Sequence, residues 1–395
     1  MSQTHTRVVV SRRGGPDVLR MHEEPLPSPK PGEVRVKVRA AGVAFADLLM
    51  REGLYPGTPR PPFTPGYDVA GVVDADAPGW RAGQPVVALT KFGGYAEYVC
   101  VPAESLVATP TGLDPAETVS LVLNYLTAYQ MLRRMARVTA GERILIHGAG
   151  GGVGTALLEL GKLAGLEMYG TASRGKHEIV QSLGGTPIDY KTTDFVARIR
   201  ERTGDGVDAV FDAVGGKQWR RSYEALRGGG RLVGYGFSAG TTNGRRDLAK
   251  LAVAFVQMPR FAPLTMMDVN KQVAGYNVDR LRTQRPEWYR RDDGRGGGRG
   301  EDRARERRRM TVGHGSAADA ARHAVSRATS IGRRAAAKRS RAACERAGGR
   351  IVRGCGQPGR IHLENPRRLR IFRGSGQLGR LCFPVLWNHR LTQRE

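Results

Sequence analysis

The sequence predicts an α/β protein: an N-terminal β-rich domain, then a doubly wound parallel sheet, then a basic C-terminal tail. Three observations carry that expectation. Apolar and polar residues alternate with period two through Glu33–Ala40, the pattern of a half-buried strand, and Arg7–Ser11 holds a β-branched valine run that reads as another strand. From Arg143 onward short apolar runs alternate with helical segments over short connections, which indicates a parallel sheet covered on both faces. Beyond Leu281 that order stops. The run GRGGGRGEDRARERRRM introduces a stretch with no sustained period, so 283–395 reads as poorly ordered.

In chain order, Pro25, Pro27, Pro29, Pro31 and Gly32 punctuate the first two strands. Val69–Val73, Pro85–Leu89 and Gly93–Val101 read as further short strands, a spacing that suggests a small all-β barrel. Asp114-Pro115-Ala116-Glu117 is a helix start: a capping side chain, proline at the first helical position and an acid in the first turn. The helix is predicted to run toward Leu121, with a second one over Asn124–Arg137. Strands follow at Arg143–His147, Leu166–Thr171, Val207–Asp212 and Gly230–Tyr235. Helices fall at Thr155–Ala164, Lys176–Leu183, Phe195–Arg202 and Trp219–Leu226.

Of the 395 residues, 40% are hydrophobic, enough for a sizeable core. The net charge of +26 invites a nucleic-acid reading, but +19 of it belongs to 282–395 and only +7 to 1–281. In that tail 28 of the 29 basic residues are Arg. The four cysteines, Cys100, Cys344, Cys355 and Cys382, show no metal-ligand spacing with a nearby histidine. They form no disulfide framework, so a reducing, cytoplasmic setting is expected. The N-terminus has no apolar run of signal length. No segment approaches the roughly 18 apolar residues that span a bilayer.

The strongest local signal is Ile144-Leu145-Ile146-His147-Gly148-Ala149-Gly150-Gly151-Gly152-Val153-Gly154, between a predicted strand and a predicted helix. Glycines allow a sharp turn and a close backbone approach to a pyrophosphate, whose charge meets the free amides of the helix start. The spacing Gly148-x-x-Gly151-x-x-Gly154 departs from the strict dinucleotide pattern, and a tight turn alone would also need glycine. The second strand of the unit ends Gly170-Thr171-Ala172-Ser173-Arg174-Gly175-Lys176. It lacks the acid that holds an NAD ribose; a hydroxyl and two cations suit the 2′-phosphate of NADPH. A solvated basic loop is the bland alternative.

Five motifs fall in one order: Ala46-Asp47…Arg51-x-Gly53-Leu54-Tyr55, Thr64-Pro65-Gly66…Ala70-Gly71, Asn124-Tyr125-Leu126-Thr127-Ala128-Tyr129, Ile188-Asp189-Tyr190 and Gly206-Val207-Asp208…Asp212. With the glycine turn, and with Lys250–Leu281, they resemble the zinc-independent quinone oxidoreductase group of the medium-chain dehydrogenase/reductase superfamily. Within it the chain is similar to the vesicle amine transport protein-like branch, over about 6–281. The resemblance implies a GroES-like catalytic domain over 1–122, a Rossmann domain binding NADPH over 123–260 and a partial return to the catalytic domain over 261–282. It also implies a homodimer and a small quinone or enone substrate. Gly148, Gly151, Gly152, Val153 and Gly154 would meet the pyrophosphate. Ser173, Arg174, Lys176 and Tyr190 would surround the 2′-phosphate. Asn124 and Thr127 would lie near the nicotinamide, and Gly234, Gly236 and Phe237 beside its ribose. Tyr190 as a core aromatic and Thr127 as a helix-surface residue are the bland alternatives.

Zinc-dependent relatives carry a Gly-His-Glu ligand motif and a four-cysteine lobe; here Gly66-Tyr67-Asp68 stands in the first place, and 74–110 holds only Cys100. Zinc needs several N or S donors, so no metal is expected. Relatives place an asparagine where Ala44 precedes Asp47, and its polar contact to substrate is missing. Tyr67, with Tyr55 and Asp47, is the candidate catalytic set; Tyr67 simply filling the vacant metal space is the alternative. Two further function classes stay open: a nucleotide-binding protein without turnover, acting through partners or membranes, and an Arg-rich arm that binds nucleic acid through phosphates. The tail lacks the family's closing strand. Its Arg, Gly and Ala bias is what an out-of-frame reading of GC-rich DNA gives, so a frameshift near Leu281–Arg290 is expected.

Overall fold

β1 (Thr4–Val10) and β2 (Leu19–Pro25) form an antiparallel hairpin at the start of the chain. The computed structural model describes residues 3–109, 111–242, 245–286 and 288, all within one compact unit. β2 has no readable alternation and is largely exposed; pairing with β1, not its own pattern, makes it a strand. β3 (Glu33–Ala41) alternates as expected and leads into α1 (Phe45–Glu52), a helix that the sequence pattern does not announce. Its N-cap is Ala44, which has no capping side chain. The carboxylate of Asp47 instead accepts the Ala44 N–H at 2.8 Å, and Gly53 closes the helix at φ 75°.

β4 (Asp68–Val73), β5 (Pro85–Leu89), β6 (Tyr98–Pro102) and β7 (Leu106–Ala108) complete an antiparallel sheet of order β6-β3-β4-β5-β7. The strand expected from Gly93 begins only at Tyr98. Gly93, Gly94 and Tyr95 give their N–H groups to Thr64, Gly66 and Pro65 instead, so this stretch braces the 64–66 loop. That contact demands glycine: a Cβ on Gly66 (φ 112°) would come 2.5 Å from the Tyr95 nitrogen.

α2 (Pro115–Gln130) corrects a boundary. One helix stands where two are expected, and it continues through a π turn over Met131–Met135. Asp114 caps it as predicted, accepting from the N–H groups of Ala116 and Glu117. Nothing in Leu121-Val122-Leu123-Asn124 breaks a hydrogen-bond ladder, so the helix runs on. The expected domain limit at 122/123 therefore falls inside a continuous helix. Its first half packs Ala116, Val119 and Val122 on Ala40, Ala70 and Val87 of the antiparallel sheet.

The second layer is a six-stranded parallel sheet, built from β8 (Arg143–His147), α3 (Gly152–Leu163), β9 (Glu167–Ala172), α4 (His177–Ser182), β10 (Thr186–Asp189), α5 (Phe195–Thr203), β11 (Val207–Asp212), α6 (Gln218–Glu224) and β12 (Leu226–Gly234). Every residue of β11 is buried, as is β8 after its first residue. Central parallel strands are covered on both faces, hence the apolar runs Ile144–Ile146 and Ala209–Phe211, with Asp208 and Asp212 buried at either side of the second. Two-residue strands β13 (Thr241–Thr242) and β14 (Arg245–Arg246) precede α7 (Leu248–Val256), α8 (Pro263–Asp268), β15 (Gln272–Gly275) and α9 (Val278–Gln284). The sheet order is β10-β9-β8-β11-β12-β15.

β15 is a second correction. The segment 261–282 is expected to make a partial return to the catalytic domain; its strand instead adds to the edge of the parallel sheet, Val273 opposite Leu232. Only α9 reaches back: Lys91 Nζ lies 2.5 Å from Asp279, and Arg282 donates to the Leu89 carbonyl. One core cluster runs through both layers, from Val10, Met50, Tyr67 and Leu89 to Ile144, Leu157, Phe211 and Tyr276. Thr283 and Gln284 finish α9; the remaining expectations for 283–395 concern positions outside the described residues, apart from Arg285, Pro286 and Trp288.

Candidate functional site

β8 stops at His147 because Gly148 turns the chain at φ 68°, where an L side chain is strained. The Gly148 carbonyl accepts the Gly151 N–H at 2.9 Å, and Gly151 is the N-cap of α3, with no side chain capping it. The first-turn amides of Gly152, Val153 and Gly154 are thus left to an outside acceptor. Gly154 is required sterically: a Cβ there would lie 2.4 Å from the Gly148 oxygen and 2.7 Å from Ala149 Cα. Val153 packs on the core and anchors the turn. Asn124 of α2 lies over the helix start, since a Cβ on Gly152 would meet its side chain at 2.8 Å. Thr127, one turn further along α2, is buried, so the helix-surface alternative is wrong.

The end of β9 supplies the cations. Lys176 folds over the turn: its stem packs on Gly150, and its Nζ donates to the Gly150 carbonyl at 3.2 Å. Arg174 is exposed and Ser173 half-buried. β9 and β10 pair Ala172 with Asp189, so Ser173 and Tyr190 leave the sheet together. Tyr190 is 56% exposed; it is not a core aromatic, and its ring is available to a ligand. No acid follows β9. An anion with both a diphosphate and a further phosphate fits this donor set; the bare ribose diol of NAD finds no carboxylate here.

The opposite rim is made by the loops after β11 and β12. A Cβ on Gly236 would lie 2.8 Å from the Ala213 oxygen, and one on Gly234 2.9 Å from the Trp219 ring. Phe237 is wedged between Trp219 and Phe255, at centroid distances of 6.5 and 5.1 Å.

The candidate catalytic set is rearranged. Tyr67 is 1% exposed, and its hydroxyl is 2.8 Å from that of Tyr55 with the rings edge to face. Burial raises both phenols above their ordinary range, so both are neutral hydrogen-bonding groups at neutral pH. Tyr55 is only half-buried and is the member of the pair that can face a substrate; Tyr67 stands behind it. Asp47 is not placed for chemistry. It is buried, with one oxygen on the Ala44 N–H and the other on the Gly66 N–H at 3.0 Å. It fixes the loop that carries Tyr67, and burial pushes it up to about 6.

Three contributors escaped the sequence reading. Asp68, at the second vacant ligand position, is buried, pushed up to about 7 by burial, and accepts the Leu123 N–H at 3.1 Å. Lys91 and Asp279, 188 positions apart in sequence, form the ion pair that brings α9 to the tyrosines; the Asp279 charge helps to raise both phenols. No sequence pattern marks Lys91, whose left-handed backbone at φ 66° is seen only in the structure. Among the described residues no cluster of His, Cys, Asp and Glu could hold a metal ion. No described helix is long and apolar enough to cross a membrane.

Set beside known proteins, residues 30–111 match the alcohol dehydrogenase GroES-like domain family and residues 152–264 the zinc-binding dehydrogenase family. The chain belongs to the medium-chain dehydrogenase/reductase superfamily of oxidoreductases, with a GroES-like and a Rossmann domain. Within it, it falls in the quinone oxidoreductase group, on the VAT-1-like side. The rat synaptic vesicle membrane protein VAT-1 homolog is 36% identical over 281 residues, 69% of this chain and 70% of that protein. The human quinone oxidoreductase is 34% identical over 247 residues, 60% of this chain and 75% of that one. The crystal structure of the quinone oxidoreductase from Thermus thermophilus, also solved with NADPH, superposes with a TM-score of 0.58 at 33% identity, covering 72% of this chain and 84% of that one.

Proposed function

We propose that this chain is an NADPH-dependent, zinc-independent reductase whose acceptor is a quinone or an α,β-unsaturated carbonyl. The observation that carries the reading is Lys176 lying over an uncapped glycine turn, beside a β9 end without an acid. When bound, NADPH supplies a hydride from its nicotinamide ring. The amides of Gly152, Val153 and Gly154 take the diphosphate. Lys176, Ser173 and Arg174 take the 2′-phosphate, with Tyr190 against the adenosine. Asn124, Thr127, Gly234, Gly236 and Phe237 bound the nicotinamide end. Both acceptor classes develop negative charge on a carbonyl oxygen, and the Tyr55 hydroxyl, held by Tyr67, is the neutral donor for it. Zinc is unnecessary on this reading because Tyr67 occupies the ligand position. A homodimer and a cytoplasmic setting belong to the same reading.

Ala44 favours a second reading, a protein that binds NADPH with little turnover and acts through partners, because the polar contact expected at this position is absent. Oxidation of NADPH by the purified full chain across a panel of quinones and enones separates the two. Turnover on any member supports the reductase; tight NADPH binding with none supports the second.

A further inference from the structure

Beneath the glycine turn lies a row of polar groups that the proposed chemistry does not use. His147 ends β8 fully buried. Its Nδ1 is 3.0 Å from Thr171 Oγ1 on β9, and its Nε2 is 3.0 Å from Ser222 Oγ on α6. Ser222 Oγ donates to Asp212 Oδ2 of β11 at 2.6 Å. The other Asp212 oxygen accepts the N–H groups of Val214 at 2.6 Å and Gly215 at 3.1 Å. At the opposite end the Gly148 N–H points to Thr171 Oγ1 at 3.4 Å. The order Asp–Ser–His, with all three side chains buried, excludes a nucleophilic serine: the hydroxyl is spent on the carboxylate and no substrate reaches it.

The proton positions follow from the chemistry of the groups. A carboxylate only accepts, so Ser222 gives it its proton and must itself accept from His147. His147 then carries its proton on Nε2, and its Nδ1 accepts from Thr171 at 3.0 Å and, more weakly, from Gln218 Nε2 at 3.5 Å. The Thr171 oxygen is left to accept from Gly148. Every donor thus points toward Asp212. Burial lowers the affinity of His147 for a second proton, and the Phe195 ring closes over it edge-on at 4.8 Å.

We propose that Thr171, His147 and Ser222 are positioning residues that lock the pyrophosphate turn at Gly148 in register with the 213–215 loop, so that the two ends of the dinucleotide site move as one. Both ends are in direct contact with cofactor-facing groups. Gly148 opens the turn whose amides meet the diphosphate, while Ala213 and Gly215 touch Gly236 and Phe237 on the nicotinamide side. The inference rests on the dinucleotide reading of the site.

The test uses the full chain with ¹⁵N-labelled histidine, the His147 signals being assigned by their loss in His147→Phe. Expected are a protonated Nε2 and an unprotonated Nδ1, unchanged from about pH 5.5 to about pH 8 and shifted on adding NADPH. A protonated Nδ1, or no response to NADPH, overturns the proposal, and this measurement needs no variant beyond the assignment. Thr171→Val and Thr171→Ser are then compared by NADPH titration below their melting temperatures. Thr171→Val is expected to bind NADPH about tenfold more weakly, the effect of one lost buried hydrogen bond, and Thr171→Ser to restore native affinity. Equal affinities in the two variants overturn the coupling. Absence of NADPH binding by the unmutated chain sinks the cofactor reading and the coupling together, whereas equal affinities sink the coupling alone.

Discussion

Asp68→Asn is a perturbation whose size can be worked out beforehand. Asp68 is buried and accepts the Leu123 N–H, and burial raises it from 3.8 to about 7. The folded chain therefore keeps a proton that the unfolded chain has already released. Stability contributed by this group is full below pH 3.8 and lost as pH rises toward about 7. At about 1.4 kcal/mol per pH unit the whole loss is about 4 kcal/mol, of which about 3 kcal/mol falls between about pH 5 and about pH 8. Asparagine keeps an oxygen for Leu123 and has no proton to lose. Asp47, pushed up to about 6, contributes in both proteins, and the variant also removes its repulsion by Asp68. Urea unfolding of both proteins at intervals across that pH range is the assay. The native chain is expected to lose about 3 kcal/mol more than the variant over the range, and the variant to be the more stable at its alkaline end. Stability curves that stay parallel within about 0.5 kcal/mol would refute the claim that this carboxylate is desolvated.

Other substitutions probe the site itself. Gly154→Ala puts a Cβ 2.4 Å from the Gly148 oxygen; the backbone must move, so NADPH affinity is expected to fall at least about tenfold, with about 1–3 kcal/mol of stability, as read by fluorescence titration and melting. Unchanged affinity would place the ligand elsewhere. Tyr55→Phe is expected to lower kcat on the best quinone by about a hundredfold, the usual effect of removing one oxyanion donor. Tyr67→Phe should cost about tenfold or less, because it only orients Tyr55; the reverse ranking, or no effect from either, contradicts the arrangement.

How much of this was legible in the sequence depended on the range of the interaction. The β8–turn–α3 unit was readable because apolar strand, glycines and helix are contiguous, and the glycine demands are local backbone demands. The Asp114 cap was readable for the same reason. α1 was hidden because its N-cap is an alanine and the capping group sits three residues on, at Asp47. The break expected in α2 had no breaker behind it. β2 and β15 exist because a neighbouring strand edge accepts them, and no single-strand pattern encodes that. Tyr67 stands out in the sequence as the residue at the vacant metal position, but its burial behind Tyr55 is a packing fact. The Lys91–Asp279 pair and the His147–Ser222 contact join residues 188 and 75 positions apart, and neither they nor the short Ser222–Asp212 link carries a spacing signal.

The central claim is that the β9 end reads the extra phosphate of NADPH. Equilibrium titration of the native chain and of Lys176→Ala with NADPH and with NADH tests it most directly. A lost charge-assisted contact costs about tenfold to a hundredfold. The native chain should prefer NADPH by at least about tenfold, and Lys176→Ala should erase most of that preference while leaving NADH affinity nearly unchanged. Equal or tighter binding of NADH by the native chain, or an equal loss for both nucleotides in the variant, would contradict the account.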